Sequence, residues 1–303
     1  MIVSVEHLSH RYGDREALRD LSFEVEEARL FGLLGPNGSG KSTLFRILAT
    51  MMAPTEGRVV VAGVDAAADP DEVRRRIGVV FQSQSLDKKL TVAENLTAQG
   101  HLYGLSGGLL RERTGEALER LGLAERRDDI VETLSGGLRR RVEIAKAMLH
   151  RPQVLLMDEP STGLDPGARR ELADYVAELR DREGVTVILT THILDEADRC
   201  DRLLLLHEGR KVAEGTPEEL KARVGGDVVV LEAKDAGSLA REIRRNFGVP
   251  VSQVNGTLRV EIENGHRFIT DVVEAFPGRI DSVALHKPTL EDVFLDETGA
   301  RIT

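Results

Sequence analysis

The densest chemistry in this 303-residue chain lies in nine consecutive residues, GPNGSGKST, 35–43. Gly35, Gly38 and Gly40 let the backbone curl so that its N–H groups face an anion. A strand-like run, RLFGLL, leads in. A helical pattern with Leu44, Phe45, Ile47, Leu48 and Met51 on one face leads out. This is the strand–loop–helix context of a phosphate-binding P-loop, where the positive end of the helix dipole adds to the loop's donors. Lys41 supplies a point charge to the β- and γ-phosphates, and Ser42 a hydroxyl to Mg²⁺.

A P-loop needs an acidic partner, and VLLMDE, 154–159, supplies one. Asp158 follows four apolar residues, at the mouth of a buried strand, where a carboxylate holds Mg²⁺. Glu159 is a candidate general base for an attacking water. Alone, such a pair is as often a solvated strand end; a P-loop in the same chain favours the functional reading. His192 ends VILTTH, which reads as the next parallel strand of the same sheet, and its imidazole can hydrogen-bond a γ-phosphate oxygen. Gln82, directly after the apolar run IGVVF, is a candidate to position water or touch the metal; Gln84 competes for that role. Tyr12, in a chain with only 4% aromatic residues, offers a face on which a base can stack. A second, weaker phosphate signal is LSGGLRRR, 134–141: a turn at Ser135, Gly136 and Gly137 that opens a helix, followed by Arg139, Arg140 and Arg141. Three consecutive residues cannot share one helix face, so the arginines read as a solvated or inter-domain surface.

The elements that must position these groups alternate between strand and helix. IVSVEHL, LSFEVE, GRVVVAG and IGVVFQ read as strands. From about 90 to 150 the pattern is almost purely helical, a helical insert within an α/β domain. QVLLMDEP and VTVILTTH are apolar runs that end abruptly in polar residues, as buried parallel strands do. RLLLLHEGRKVAEG reads as a hairpin with Gly209 in the turn, and TPEEL starts a helix with Thr216 as cap. Beyond VGGD the texture changes to strand, helix, strand, an Asn255-Gly256 turn, strand, helix, strand and a short final helix. That order is β-α-β-β-α-β, the ferredoxin-like pattern.

Composition sets the outer limits. Lys plus Arg number 41 against 51 Asp plus Glu, a net charge of −10, which argues against nucleic acid as the main partner. The single cysteine, Cys200, allows no internal disulfide and reads as a thiol at a helix end in a reducing compartment. No stretch approaches the ~20 apolar residues of a membrane span, and the N-terminus carries no secretory signal.

Taken in order, GPNGSGKST, Gln82, LSGG, VLLMDEP, STGLD and His192 resemble the ATP-binding cassette (ABC) ATPases of transporters over about residues 2–220. The tail motif KPTLEDVFLDETG is similar to the bacterial drug-exporter branch of the daunorubicin-resistance type. The resemblance implies a P-loop NTPase fold: a RecA-like α/β core with an antiparallel β subdomain and a helical subdomain (about 86–152) within an ATPase domain, 1–222. A small α+β ferredoxin-like domain would follow, 223–303. It implies that ATP and Mg²⁺ are the cofactors and that two cassettes pair head to tail. Gly35, Pro36, Asn37, Gly38, Ser39, Gly40, Lys41, Ser42 and Thr43 would hold the phosphates and metal, with Tyr12 on the adenine. Ser42, Gln82 and Asp158 would complete the metal site, Glu159 would be the base and His192 the γ-phosphate sensor. Ser135, Gly136 and Gly137 would reach the other chain's nucleotide, and Asp165 would bridge the two sites. The chain would power a separate integral membrane permease from the cytoplasmic face, for export of drugs or other hydrophobic small molecules.

Three departures stand out: Leu138 where Gln is common, Ser39 where Ala is frequent, and Ala28 where a Gly often precedes the P-loop strand. Three other readings compete. A soluble ABC-type ATPase acting on nucleic acid or the ribosome fits poorly with a single cassette and net acidic charge. A P-loop kinase leaves LSGG unexplained, and a non-hydrolysing ATP binder leaves Glu159 without a task.

Overall fold

The computed structural model describes residues 1–254, 256–300 and 302, so Asn255 of the expected Asn255-Gly256 turn lies outside it. The chain divides into a compact unit over Met1–Thr216 and a second that starts at Pro217. The division precedes residue 222 because the helix Pro217–Val224 packs on the terminal helix Leu290–Thr298.

The first unit holds two sheets. One is a four-stranded antiparallel sheet in the order Arg15–Val25, Val3–Tyr12, Glu56–Val61, Val64–Asp65. The other has six strands in the order Arg210–Gly215, Arg202–His207, Leu30–Leu34, Thr186–Thr191, Val154–Asp158, Ile77–Val80. All but its first strand run parallel. The parallel strands are near-continuous apolar runs because both of their faces are covered. Val3, Val5, Leu8 and Phe23 of one sheet share a core with Phe31, Leu33, Leu156 and Ile188 of the other. Leu44, Phe45, Ile47 and Leu48 of the helix Lys41–Leu48 bury themselves in that same core. The P-loop helix is therefore held by packing along its length and free only at the end that opens the loop.

Between Gln82 and Gln153 the chain is helical: Val92–Leu102, Gly107–Arg120 and Gly136–Met148. The first of these starts with a reciprocal capping box, Thr91 Oγ1 accepting from Glu94 N and Glu94 Oε2 accepting from Thr91 N. A further long helix, Pro166–Glu183, connects the strands ending at Asp158 and starting at Thr186. Asp165 caps it with bonds from Gly167 N (2.9 Å) and Ala168 N (3.0 Å). Ala28 has φ 53°, a left-handed conformation that favours glycine, which gives a physical reason for Gly being frequent there.

In the second unit the sheet order is Ser252–Val254, Thr257–Ile262, Asp227–Glu232, Ser282–His286, all antiparallel. Each strand–helix–strand crossover returns the chain in its original direction, and one strand of the other crossover lies between its two strands. This is the ferredoxin-like arrangement read from element order. Leu239 and Ile243 of the helix Ala236–Phe247, with Phe268 and Val272 of Gly265–Ala275, cover Val229, Leu231, Leu258 and Val260 on one face. The tail motif has a local structural role in this unit. Thr289 and Asp292 form a capping box, and Asp292 Oδ1 lies 3.4 Å from the buried Arg259 Nε.

Candidate active site

The five parallel strands end on one edge of the sheet, and that edge collects the chemistry. Leu34 leads into the P-loop, Asp158 is the last residue of its strand, Thr191 precedes His192, and Val80 leads to Gln82. A cleft of about 690 Å³ opens beside it, lined by Tyr12, Asn37, Gly38, Gly40, Lys41, Ser42, Thr43 and Glu159, among others.

The P-loop is held from below and from the side. Gly38 (φ 81°) and Gly40 (φ 107°) take left-handed conformations that a Cβ would strain. A Cβ on Gly35 would stand 2.3 Å from the Leu206 carbonyl oxygen, so backbone meets backbone there. Lys41, only 4% exposed, donates from Nζ to Gly35 O (2.6 Å) and Pro36 O (2.9 Å). Burial pushes its ammonium down from the usual value, opposed by the charges of Glu159 and Asp158. An ammonium held half-desolvated among loop carbonyls is poised to prefer a phosphate.

Asp158 and Glu159 diverge. Asp158 Oδ1 accepts a 2.5 Å bond from Thr190 Oγ1, and burial pushes the carboxyl up. Glu159 has φ 44°, a left-handed strain of roughly 1–2 kcal/mol for a non-glycine residue. Its N–H donates to Thr190 O (3.1 Å) and Thr190 Oγ1 (3.0 Å), which fixes the turn. The side chain is then ringed. Gln82 Nε2 and Thr162 Oγ1 both donate to Glu159 Oε2, at 3.1 Å and 3.3 Å. His192 Nδ1 lies 3.3 Å from Oε1, within ion-pair range but without hydrogen-bond alignment. Of the two competing glutamines, Gln82 is the one bonded to Glu159, while Gln84 is exposed two residues on.

Tyr12 is 44% exposed at the rim of the cleft, its ring edge-on to His10 at 4.7 Å. Ser135, Gly136 and Gly137 do not line the cleft. Ser135 caps its helix, Oγ accepting from Leu138 N at 3.3 Å. Cβ atoms on Gly136 and Gly137 would meet Leu164 (3.8 Å) and Ala168 (3.0 Å), so the turn lies beside the loop around Asp165. Nothing in the structure explains the leucine at 138.

The arginine run corrects the sequence reading. Arg140 is 5% exposed rather than solvated: its guanidinium turns inward to Phe81 O and Glu143, both at 2.7 Å. Arg141 bonds Glu171 and Leu121 O. Cys200 is buried beside Gly32, and burial pushes its thiol up, so it is inert packing. The residues that sequence reasoning missed act through positioning. Thr190 ties Asp158 to Glu159. Gly209 donates N–H to Ser39 O (3.0 Å) and accepts from Arg19 N (2.8 Å), clipping the P-loop to the Arg15–Val25 strand. The first Thr in VILTTH and the glycine of the hairpin were visible; their partners were not.

A P-loop opening a buried helix, an acidic pair two strands away on the same sheet edge, and a glutamine and histidine converging on the second acid define a P-loop ATPase of the cassette type. The comparisons agree. The ABC transporter family model matches residues 18–162, and that of the ATP-binding protein DrrA1-3-like C-terminal domain matches 215–298. A model described as AAA domain, putative AbiEii toxin, Type IV TA system also covers 130–196. The daunorubicin resistance ATP-binding protein DrrA3 of Streptomyces coeruleorubidus is 40% identical over 98% of this chain and 96% of its own length. Among solved structures, cbiO1 from Clostridium perfringens, part of the ABC transporter complex cbiONQ, gives a TM-score of 0.69 at 28% identity, over 82% of this chain and 96% of that one. The dimeric post-hydrolysis ADP- and Pi-bound cassette MJ0796 gives 0.64 at 30%, over 71% and 98%. The chain belongs to the ABC transporter ATP-binding proteins and carries the C-terminal domain of the daunorubicin-resistance type. It is an ABC-type ATPase that binds and hydrolyses ATP.

Proposed function

We propose that two copies of this chain share two ATP sites, each formed by the P-loop of one and the Ser135-Gly136-Gly137 turn of the other, and together drive a separate membrane permease. The observation that carries this reading is the glycine at 136. Its φ is not left-handed, and a Cβ there would make only an ordinary 3.8 Å contact. The fold of one chain does not ask for glycine at this position, although it costs a helix roughly 0.5–1 kcal/mol relative to alanine. A ligand presented by a second chain, approaching the helix N-terminus closely, does ask for it.

Within each site, Tyr12 stacks the adenine and residues 35–43 cradle the phosphates. Ser42 and Asp158 fit Mg²⁺: the Asp158 carboxyl is half-buried and pushed up by desolvation, and a cation would relieve that. Among the described residues no three acidic, His or Cys side chains cluster to hold a metal alone, so the nucleotide's own oxygens must complete the shell. The ion would neutralise charge on the β- and γ-phosphates. Glu159 accepts the proton of the attacking water, Gln82 and His192 hold that carboxylate and the γ-phosphate in register, and Asp165 lies where the partner's site meets this one. No helix among the described residues is long and apolar enough to cross a membrane. The permease would hold the chain at the cytoplasmic face of the membrane. Similarity to a daunorubicin resistance protein supports export of drugs or other hydrophobic small molecules as the transported class.

The test mixes two inactive variants. Lys41→Ala keeps the turn at 135–137, and Ser135→Arg keeps the P-loop. Mixed in equal amounts, they should regain ATPase activity that neither shows alone. No recovery, with each variant folded, would refute the shared site.

A further inference from the structure

The helix that begins at Gly136 does more than present its N-terminus. Arg140, Glu143 and Lys146 recur every third residue, so they share one face of it. That face lies against residues 81–85, the loop that carries Gln82. Arg140 Nη1 donates to Phe81 O (2.7 Å), and Nη2 reaches Gln82 O (3.4 Å). Glu143, 3% exposed, accepts from Ser85 N (2.7 Å) while its other oxygen takes the Arg140 guanidinium (2.7 Å). Lys146 Nζ donates to Ser85 O at 2.9 Å. Three side chains thus bind four backbone groups of a five-residue loop, and two of the three form an ion pair almost sealed from water.

We propose that Arg140 is a positioning residue for ATP hydrolysis: with Glu143 it fixes the backbone of residues 81–85 so that the otherwise exposed Gln82 side chain reaches Glu159. This rests on the reading of Gln82 and Glu159 given above. A guanidinium is suited to the task, since its rigid planar fork addresses two carbonyls and a carboxylate in a fixed geometry, which a compact ammonium does not offer. The pair is buried because its partners are backbone groups that the loop itself leaves unpaired. The P-loop and Tyr12 are not touched, so nucleotide affinity is independent of this clamp.

The experiment is a steady-state ATPase cycle on the full-length chain. Arg140→Gln with Glu143→Gln removes both charges together and so leaves neither stranded. We expect kcat to fall about tenfold or more, with KM for ATP unchanged within about threefold and the thermal midpoint close to that of the parent. In a Gln82→Ala background the same pair of changes should cost less than about twofold further, because there is no longer a side chain to aim. Multiplicative losses in the two backgrounds would overturn the proposal and leave a merely structural pair. If Gln82→Ala alone leaves kcat unchanged, the reading of Gln82 fails first, and the clamp fails with it. Should the double variant not fold, Arg140→Lys serves: the charge stays beside Glu143, and the loss of the fork should still lower kcat about threefold or more with KM held. Full activity in that variant would count against the proposal.

Discussion

Residues 35–43 and 135–138 are both glycine turns that open a helix, yet the chain treats them differently. In the first, glycine is demanded from within: Gly38 and Gly40 are left-handed, Gly35 abuts the Leu206 carbonyl, and the lysine is buried onto its own loop. In the second, Ser135 is exposed, its hydroxyl does no more than cap, and no backbone strain or close backbone contact calls for Gly136. On the proposed reading, one turn is a finished site and the other is a surface that a second chain completes. The difference would then separate residues that the fold needs from residues that only assembly needs.

The variants that test this contrast can be ordered by size. Glu159→Gln should lower kcat by ~10²–10⁴, the range for losing a general base, while ATP still binds and a dimer accumulates on gel filtration. An ATP-bound variant that stays monomeric would erase the distinction between the turns. Lys41→Ala should lower kcat/KM by ~10²–10³ through lost phosphate stabilisation, with nucleotide binding by the isolated chain weakened in calorimetry. Ser135→Arg should be comparably inactive in turnover but bind ATP normally as a monomer; lost monomer binding would put Ser135 in its own chain's pocket. Two alanines read the contrast on stability. Gly35→Ala should cost about 1–3 kcal/mol in urea unfolding, since a backbone oxygen must give way. Gly136→Ala should leave stability unchanged or raise it by up to about 1 kcal/mol, while still reducing turnover. Smallest is Leu138→Gln, which should change kcat by less than about tenfold, or 1.4 kcal/mol.

What the sequence made legible follows the same line. The P-loop, Asp158, Glu159 and the buried strands could be read because each needs particular residue types in one unbroken string. The β-α-β-β-α-β order of the second unit was equally local, and it dictates the antiparallel sheet that forms. Arg140 could not be told from Arg139 and Arg141, because its burial is decided by carbonyls at Phe81 and Gln82, far away in the chain. The helix Pro166–Glu183 escaped notice for another reason. It buries only Leu172, Val176 and Leu179, too thin an apolar stripe to stand out, although Asp165-Pro166 and Gly184 mark both its ends. Thr190 passed as one more β-branched residue in an apolar strand; only the register beside Asp158 reveals its hydroxyl as a tether.

The clip at Gly209 bears on how this site comes into being during synthesis. The strand Leu30–Leu34 emerges early, but its two sheet neighbours are Thr186–Thr191 and Arg202–His207, and the bond that steadies Ser39 comes from Gly209. A nascent chain that has released its P-loop sequence therefore lacks both sheet neighbours of that strand and the Gly209 bond until nearly the whole first unit has left the ribosome. Such sequence-distant closure is slow, and it exposes apolar strands in the interval. ATP can reward folding only at the last step, when the hairpin docks, so nucleotide should act on this chain as a proofreader of completed folding rather than as a nucleus for it.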